Sequence, residues 1–329
     1  MAAKGAEVVI TGAGGFLGSE VFRQAEQSGL SVRGLDRVVP SQLRAWWSVC
    51  DLRNSDVIRE HLCGAEAVVH VAGLAHVQRH DVHTRRELWD ANVNTCETVA
   101  RAALAAGVRR FVLVSSVAVY GDHGPGPVAE SAPCRPRTAY AVSKCQGERA
   151  VANVFEGSGM ALVILRMATV FGECDPGNVG RLVRAIDGRR FIWIGRGENN
   201  KSLIHREDAA RACLLALQAA TPGAATFNVA SVVTTMRTIV QTIAANLGRT
   251  VPRWHVPAQP LLGAARLLVS MRVGGSRANG LVLALNTWLA NEVFDGTAFR
   301  QWCGFSPSVS LEVGLHRQVK WYQAVRGGS

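Results

Sequence analysis

The chain has 329 residues, 48% of them hydrophobic and 19% charged, with a formal net charge of +11. That much apolar material suits one large α/β unit or two coupled domains of an ordinary soluble protein. The positive charge fits nucleic acid, an anionic membrane or phosphorylated small molecules, but the arginines are spread along the chain, with no basic tail or aromatic-interleaved basic motif, which argues against nucleic acid. The opening MAAKGAEVVITGAGG lacks the apolar core and cleavage site of a signal peptide, so a cytoplasmic protein is expected. The eight cysteines form no CxxC pairs, and reduced thiols are expected.

Beta-branched apolar runs alternate with helical patterns from the start. EVVI predicts a first strand, followed by a helix to about Ser28, the strand SVRGLD and a short segment around WWSVCDL. AVVHVAG, a long helix to about Gly107, RFVLVSS, a helix around Tyr140 and ALVILR come next. Strands flanked on both sides by helices predict an α/β fold with a doubly wound parallel (Rossmann) sheet over residues 1–172. From Gly172 the rhythm loosens into a helix at about 179–187, FIWIG, a helix through DAARACLLALQAA, FNVAS, a helix to about Leu247 and the Pro-rich hinge VPRWHVPAQP. This half, 173–329, predicts a smaller α/β substrate domain, with segments near 204–231 returning to the first sheet. The apolar stretches 260–271 and 280–290 are shorter than the ~20 residues of a membrane span, so no transmembrane segment is expected. They read as amphipathic helices, contact with a membrane surface being the other option.

The first strand runs into TGAGGFLG, which sets Gly12, Gly15 and Gly18 at the turn into a helix. Such a turn brings backbone N–H groups and a helix N-terminus to a pyrophosphate. Asp36 ends the second strand, where a carboxylate accepts from an adenosine ribose and repels a 2′-phosphate, favouring NAD over NADP; the adjacent Arg37 acts the other way. Asp51 and Leu52 either frame the adenine or, for Asp51, cap the helix at 54–62. Tyr140 and Lys144 are four apart and share a helix face. A phenol shuttles protons near neutral pH only if its pKa falls by ~3 units, which takes ~4 kcal/mol. An ammonium ~4 Å away supplies about that at an effective dielectric near 20. RFVLVSS delivers Ser115 and Ser116 at a carboxyl strand end, where doubly wound sheets hold ligands. His76, His80 and His83 share a helical spacing, but no cysteine or carboxylate set completes a metal site. His76, in a loop over the expected nicotinamide and sugar, is a substrate-contact candidate.

TGAGGFLG, the DL at 51, SSVAVYG and YAVSK together resemble the extended short-chain dehydrogenase/reductase superfamily, and within it the NAD-dependent nucleotide-sugar epimerase/dehydratase group. The likeness continues in LRMATVFG, KSLIHREDAARA and GFSPSVSLEVGL. It implies that Ser116 bonds the reacting hydroxyl, Tyr140 is the acid/base and Lys144 its partner. It also implies cofactor contacts from Phe16, Leu17, Val71, Ala72, Gly73, Asn92 and Ser115, and substrate contacts from Val117, Thr169, Asn178 and Lys201. Dehydratases of this group carry an acidic pair where Val117 and Ala118 stand, so dehydration is disfavoured and hydride chemistry at one carbinol carbon remains. The implied reaction is C4 epimerisation of a nucleotide-diphosphate sugar, with a dehydrogenase or 4-ketoreductase, or a 3β-hydroxysteroid-type dehydrogenase, as alternatives. Thr169 in place of an asparagine, Arg206 in place of an apolar residue and HVAG at 70–73 depart from the pattern. A homodimer through the helices at about 84–106 and 138–157 is the implied assembly. Arg166, ending a strand, is either an ion-pair residue or a ligand contact, and Asp208 caps or anchors the helix that follows.

Overall fold

The computed structural model describes residues 7–37, 47–75, 81–124, 126–271 and 275–327. Its first strand, β1 (Glu7–Thr11), leads through the glycine turn into α1 (Gly18–Gln27); β2 (Ser31–Asp36) and β3 (Trp47–Val49) follow. The chain returns through α2 (Ser55–Leu62) to β4 (Ala65–His70). Next, α3 (Val82–Trp89) passes through a π-helical turn at Asp90–Asn94 into α4 (Thr95–Ala105), so the long helix read from the sequence carries a bulge in its middle. Then come β5 (Arg110–Ser116), a 3-10 turn at Val117–Tyr120, α5 (Ala139–Phe155) and β6 (Ala161–Met167).

The remainder comprises β7 (Thr169–Phe171), α6 (Asn178–Asp187), β8 (Trp193–Ile194), β9 (Asn200–His205), α7 (Arg206–Ala219), β10 (Gly223–Val229) and β11 (Val232–Thr235). It closes with α8 (Met236–Leu247), β12 (His255–Val256), α9 (Ala258–Ser270), α10 (Gly275–Leu289), α11 (Thr297–Cys303) and α12 (Leu311–Gly327).

Seven strands form one parallel sheet in the order β3-β2-β1-β4-β5-β6-β10. The winding reverses between β1 and β4, which opens a crevice at their carboxyl ends. β6, ALVILRM, is buried along its whole length, as a strand covered by helices on both faces must be. Alternate residues feed two cores: Val8 and Ile10 meet Val21, Phe22 and Ala209, while Val9 meets Ile58, Val99 and Phe111. A third core, around Phe171, Val183, Leu203, Val240 and Leu315, lies with the small sheet β11-β9-β7.

Two sequence expectations change here. Asn54, not Asp51, caps α2, accepting from the backbone N–H groups of Asp56 and Val57, because the Asp51 carboxylate is held by Arg53. And α9 is less cleanly amphipathic than read: it buries Leu262 and Ala265 and exposes Gln259 and Arg266, yet it also exposes Leu267, Leu268 and, just past its end, Met271. Asp208 is fully buried and accepts from the backbone of Ser308 and Val309, so it anchors the C-terminal segment onto α7 as well as receiving Arg211.

One buried polar network ties three strands of the main sheet to α5 and the 3-10 turn. Arg166 on β6 pairs with Glu148 on α5 at 2.8 Å and donates to the Tyr120 hydroxyl at 3.0 Å, while its guanidinium lies 4.9 Å from the centre of that ring. Tyr120 donates to Asn228 on β10 at 2.6 Å, and Ser115 on β5 donates to Glu148. Arg166 is thus an ion-pair residue. At the end of β4, His70 is fully buried between the Thr11 hydroxyl at 2.7 Å and the Cys96 thiol at 3.2 Å. Burial first, and the Lys144 charge second, push its imidazole down to about 3.

Two predictions follow from these buried groups. Glu148→Ala leaves the Arg166 guanidinium buried and unpaired, and should lower the unfolding free energy by about 3–5 kcal/mol in denaturant titration. Removing the exposed Glu97–Arg101 pair, by contrast, should change it by less than about 1 kcal/mol. His70 takes up a proton in the unfolded chain below pH about 6.5 but not in the folded one, so its contribution to stability is present above that pH. It is lost as the pH falls from there towards 3, by up to about 1.4 kcal/mol per unit. Unfolding curves across this window should slope less for His70→Gln than for the parent chain.

Candidate active site

The site is built where β1, β4 and β5 end. The first turn folds back on β2: the Gly12 N–H donates to the Leu35 carbonyl at 2.8 Å, and the Gly14 N–H donates to the Asp36 carboxylate at 2.9 Å. Gly12 has φ +68°, and a side chain there would meet the Ala72 backbone at 2.6 Å. Only glycine lets the turn lie this close to the end of β4. Gly14 and Gly15 are exposed, Gly18 opens α1, and Phe16 and Leu17 precede it. This open cradle beside a carboxylate at the end of β2 fits the pyrophosphate and ribose of a dinucleotide. Arg37 is exposed beside it, Leu52 is buried, and the Arg53 guanidinium holds the exposed Asp51 carboxyl down at about 2.

The π-helical turn supplies Asn92. Its carboxamide accepts from the Leu74 N–H at 2.8 Å and donates to the Leu74 carbonyl and to the Ser143 hydroxyl, each at 2.9 Å. It therefore pins Val71, Ala72 and Gly73, the segment leaving β4, against α5. Gly147 on α5 is required for the same contact, since a Cβ there would collide with the Asn92 carbonyl. A π-turn breaks the helical ladder and leaves room for such a side chain to work.

Lys144 lies one turn after the half-buried Tyr140 on α5. Its ammonium is buried and donates to the Val114 carbonyl at 2.6 Å, just before Ser115 and Ser116 on β5. Among the described residues it forms no ion pair with a carboxylate. The two serines differ. The Ser115 hydroxyl is buried and donates to Glu148, so it serves the structural network and not the crevice. The Ser116 hydroxyl accepts from the Ala118 N–H at 3.2 Å, which leaves its O–H to donate to a bound oxygen.

The structure thus brings together the glycine turn, Asp36, the segment 71–73, Asn92, Ser116, Tyr140 and Lys144. Other candidates lie apart or are otherwise engaged. Lys201 on β9 is buried and ion-paired with Glu292 at 2.8 Å, and it donates to the Thr287 carbonyl at 2.7 Å; that is a closed structural pair, not an open phosphate contact. Asn178, exposed at the start of α6, accepts from Arg181. Val117 is buried in the 3-10 turn, and Thr169 is half-buried on β7. His76 and His80 lie outside the described residues, and among those residues no cluster fit for a metal occurs. A cleft of about 280 Å³ beyond the end of β10 is lined by Ala230, Ser231, Phe294, Asp295 and Arg300.

Arg206 is a participant that the sequence pattern marked only as a departure. From the start of α7 its guanidinium donates to the Glu173 carbonyl at 2.9 Å and to the Ser19 hydroxyl at 3.3 Å. It also lies 3.6 Å from the Glu20 carboxylate and 5.2 Å from the centre of the Phe16 ring. It therefore braces the glycine turn from the far half of the chain.

Residues 8–230 match the NAD dependent epimerase/dehydratase family. The chain is 27% identical over 321 residues to an N-acetyl-alpha-D-glucosaminyl-diphospho-ditrans,octacis-undecaprenol 4-epimerase from Escherichia coli O157:H7, covering 95% of this chain and 94% of that one. It is 28% identical to a 4-hydroxy-2-methyl-3-oxo-4-farnesyl-3,4-dihydroquinoline-1-oxide ketoreductase from Stigmatella aurantiaca, covering 93% of each. Among solved structures, MoeE5 in complex with UDP-glucuronic acid and NAD superposes with a TM-score of 0.78 at 25% identity, over 97% of this chain and all of that one. With the match running over residues 8–230, more than half of its length, the chain belongs to the NAD dependent epimerase/dehydratase family.

Proposed function

We propose that the protein is an NAD-dependent nucleotide-sugar 4-epimerase. The observation that carries this reading is the buried Lys144 ammonium, fixed on the Val114 carbonyl and, among the described residues, in no ion pair with a carboxylate. A buried cation of this kind is costly unless an anion forms beside it during the reaction. A phenolate at Tyr140, one helical turn away, is that anion.

The family cofactor is NAD; the Gly12–Gly18 turn and Asp36 would hold its pyrophosphate and ribose, and when bound it supplies a hydride acceptor. Ser116 donates a hydrogen bond to the reacting hydroxyl oxygen, orienting it. Tyr140 removes the proton of that hydroxyl and later returns one. Lys144 stabilises the phenolate between the two transfers. With Val117 buried and Ala118 beside it, no side chain at these positions can move a second proton, which speaks against dehydration. Epimerisation then needs only that the keto sugar be presented by its other face.

A one-way ketoreductase is the second reading. It is favoured by the Stigmatella aurantiaca relative and by the closed Lys201–Glu292 pair, which leaves a diphosphate one contact fewer than the family pattern implies. The Escherichia coli relative widens the sugar candidates to polyprenyl diphosphates. The homodimer through α4 and α5 belongs to this proposal as well; Leu104 on α4 is exposed and available to such a contact.

Incubation with UDP-, GDP-, dTDP- and polyprenyl-diphosphate sugars should interconvert two C4 stereoisomers without net NADH; stoichiometric NADH formation or use would replace this reading with the second. Tyr140→Phe should lower turnover by at least about a hundredfold while NAD affinity stays within about twofold. Joint loss of both would make the tyrosine structural. Arg206→Leu should weaken NAD binding by about tenfold, seen in calorimetric titration, with little change in kcat at saturating cofactor.

A further inference from the structure

On its inner side, α9 packs Leu262 and Ala265 against Leu285 of α10. A helix docked on one side normally turns polar residues to water on the other. α9 does not. At about 100° per residue, Pro260, Ala264, Leu267, Leu268 and Met271 fall in one outward stripe about 100° wide. All five are exposed, Leu267 by 54%, Leu268 by 41% and Met271 by 56%, and no charge lies within the stripe. Trp254, just before the helix, is 59% exposed, and Leu281 on α10 is 43% exposed.

Along the sequence, the charge flanking this stripe has one sign. Between residues 253 and 291 the chain carries Arg253, Arg266, Arg272 and Arg277 and no aspartate or glutamate. Arg253 and Arg266 are exposed. The pair of helices is fixed to the rest of the molecule: the Trp288 indole N–H donates to the Ile194 carbonyl at 3.0 Å, and Lys201 donates to the Thr287 carbonyl. Whatever holds this face therefore holds the whole protein. Among the described residues no helix is long and apolar enough to cross a membrane, so the face can only lie on one.

We propose that the outward face of α9, with Trp254 and the flanking arginines, docks on the surface of an anionic phospholipid bilayer. Leucine and methionine enter the acyl boundary, tryptophan sits at the headgroup level, and each arginine adds attraction to anionic headgroups. An apolar protein partner would fit the stripe alone. It is the run from 253 to 291 without an acidic residue, with Arg253 and Arg266 exposed beside the stripe, that selects an anionic lipid surface. The proposal stands apart from the reaction assigned above.

The test is co-flotation of the full-length protein with vesicles of phosphatidylcholine containing phosphatidylglycerol, compared with vesicles of phosphatidylcholine alone. The parent chain should float with the anionic vesicles and much less with the neutral ones, and binding should fall as salt is raised. Leu267→Glu with Met271→Glu should reduce the partition by at least about tenfold. NAD binding and the circular dichroism spectrum should be unchanged, since both positions are exposed. No flotation of the parent chain, equal flotation with neutral vesicles, or unchanged flotation of the double variant would overturn the proposal. So would a parent chain that ignores vesicles and forms a dimer which the double variant converts to monomer, because a second copy would then cover the face.

Discussion

The close approach of α5 to the ends of β4 and β5 is the constraint on which the rest depends. Gly147 lets the helix backbone meet the Asn92 carbonyl, Asn92 and Ser143 lock that approach, and Lys144 reaches across to the Val114 carbonyl. An ammonium buried in that position raises the local potential around it, and its charge is felt at His70 and Cys96 beneath the crevice. The cofactor turn, from the other side, is held to the end of β4 by the fit of Gly12 on Ala72. Two halves of a site thus converge on a segment of three residues, Val71 to Gly73.

Neighbouring residues of like chemistry divide between structure and reaction. Ser115 serves the Glu148–Arg166 network while Ser116 keeps its proton free for a ligand. Lys201 is neutralised by Glu292 while Lys144 is not. Among the described residues, Glu148–Arg166 and Lys201–Glu292 are paired, whereas the Lys144 ammonium forms no ion pair with a carboxylate. The Glu148–Arg166 network also links β6 to Asn228 on β10 through the Tyr120 hydroxyl.

Much of this was legible in the residues because it is local. The glycine turn, the strand ending in two serines and the four-residue spacing of Tyr140 and Lys144 are each contained in one short segment, and the alternation of strands and helices is a matter of period. What was not legible is non-local. Arg206 braces Ser19 across 187 positions, and Tyr120 meets Asn228 across 108, so nothing in either neighbourhood announces the partner. The π-turn at Asp90–Asn94 falls inside a stretch that reads as one long helix, and Asn54 and Asp51 are equally good acceptors until the helix start is known. The exposure of Leu267, Leu268 and Met271 was not legible either, because periodicity does not say which apolar side of a helix is covered.

The most direct measurement is to denature the purified protein in acid and identify the nucleotide it releases. The account requires NAD in stoichiometric amount, held by the Gly12 turn and Asp36 beside the Lys144 ammonium. NADP in its place, or no nucleotide from a protein that also fails to take up added NAD, would contradict it.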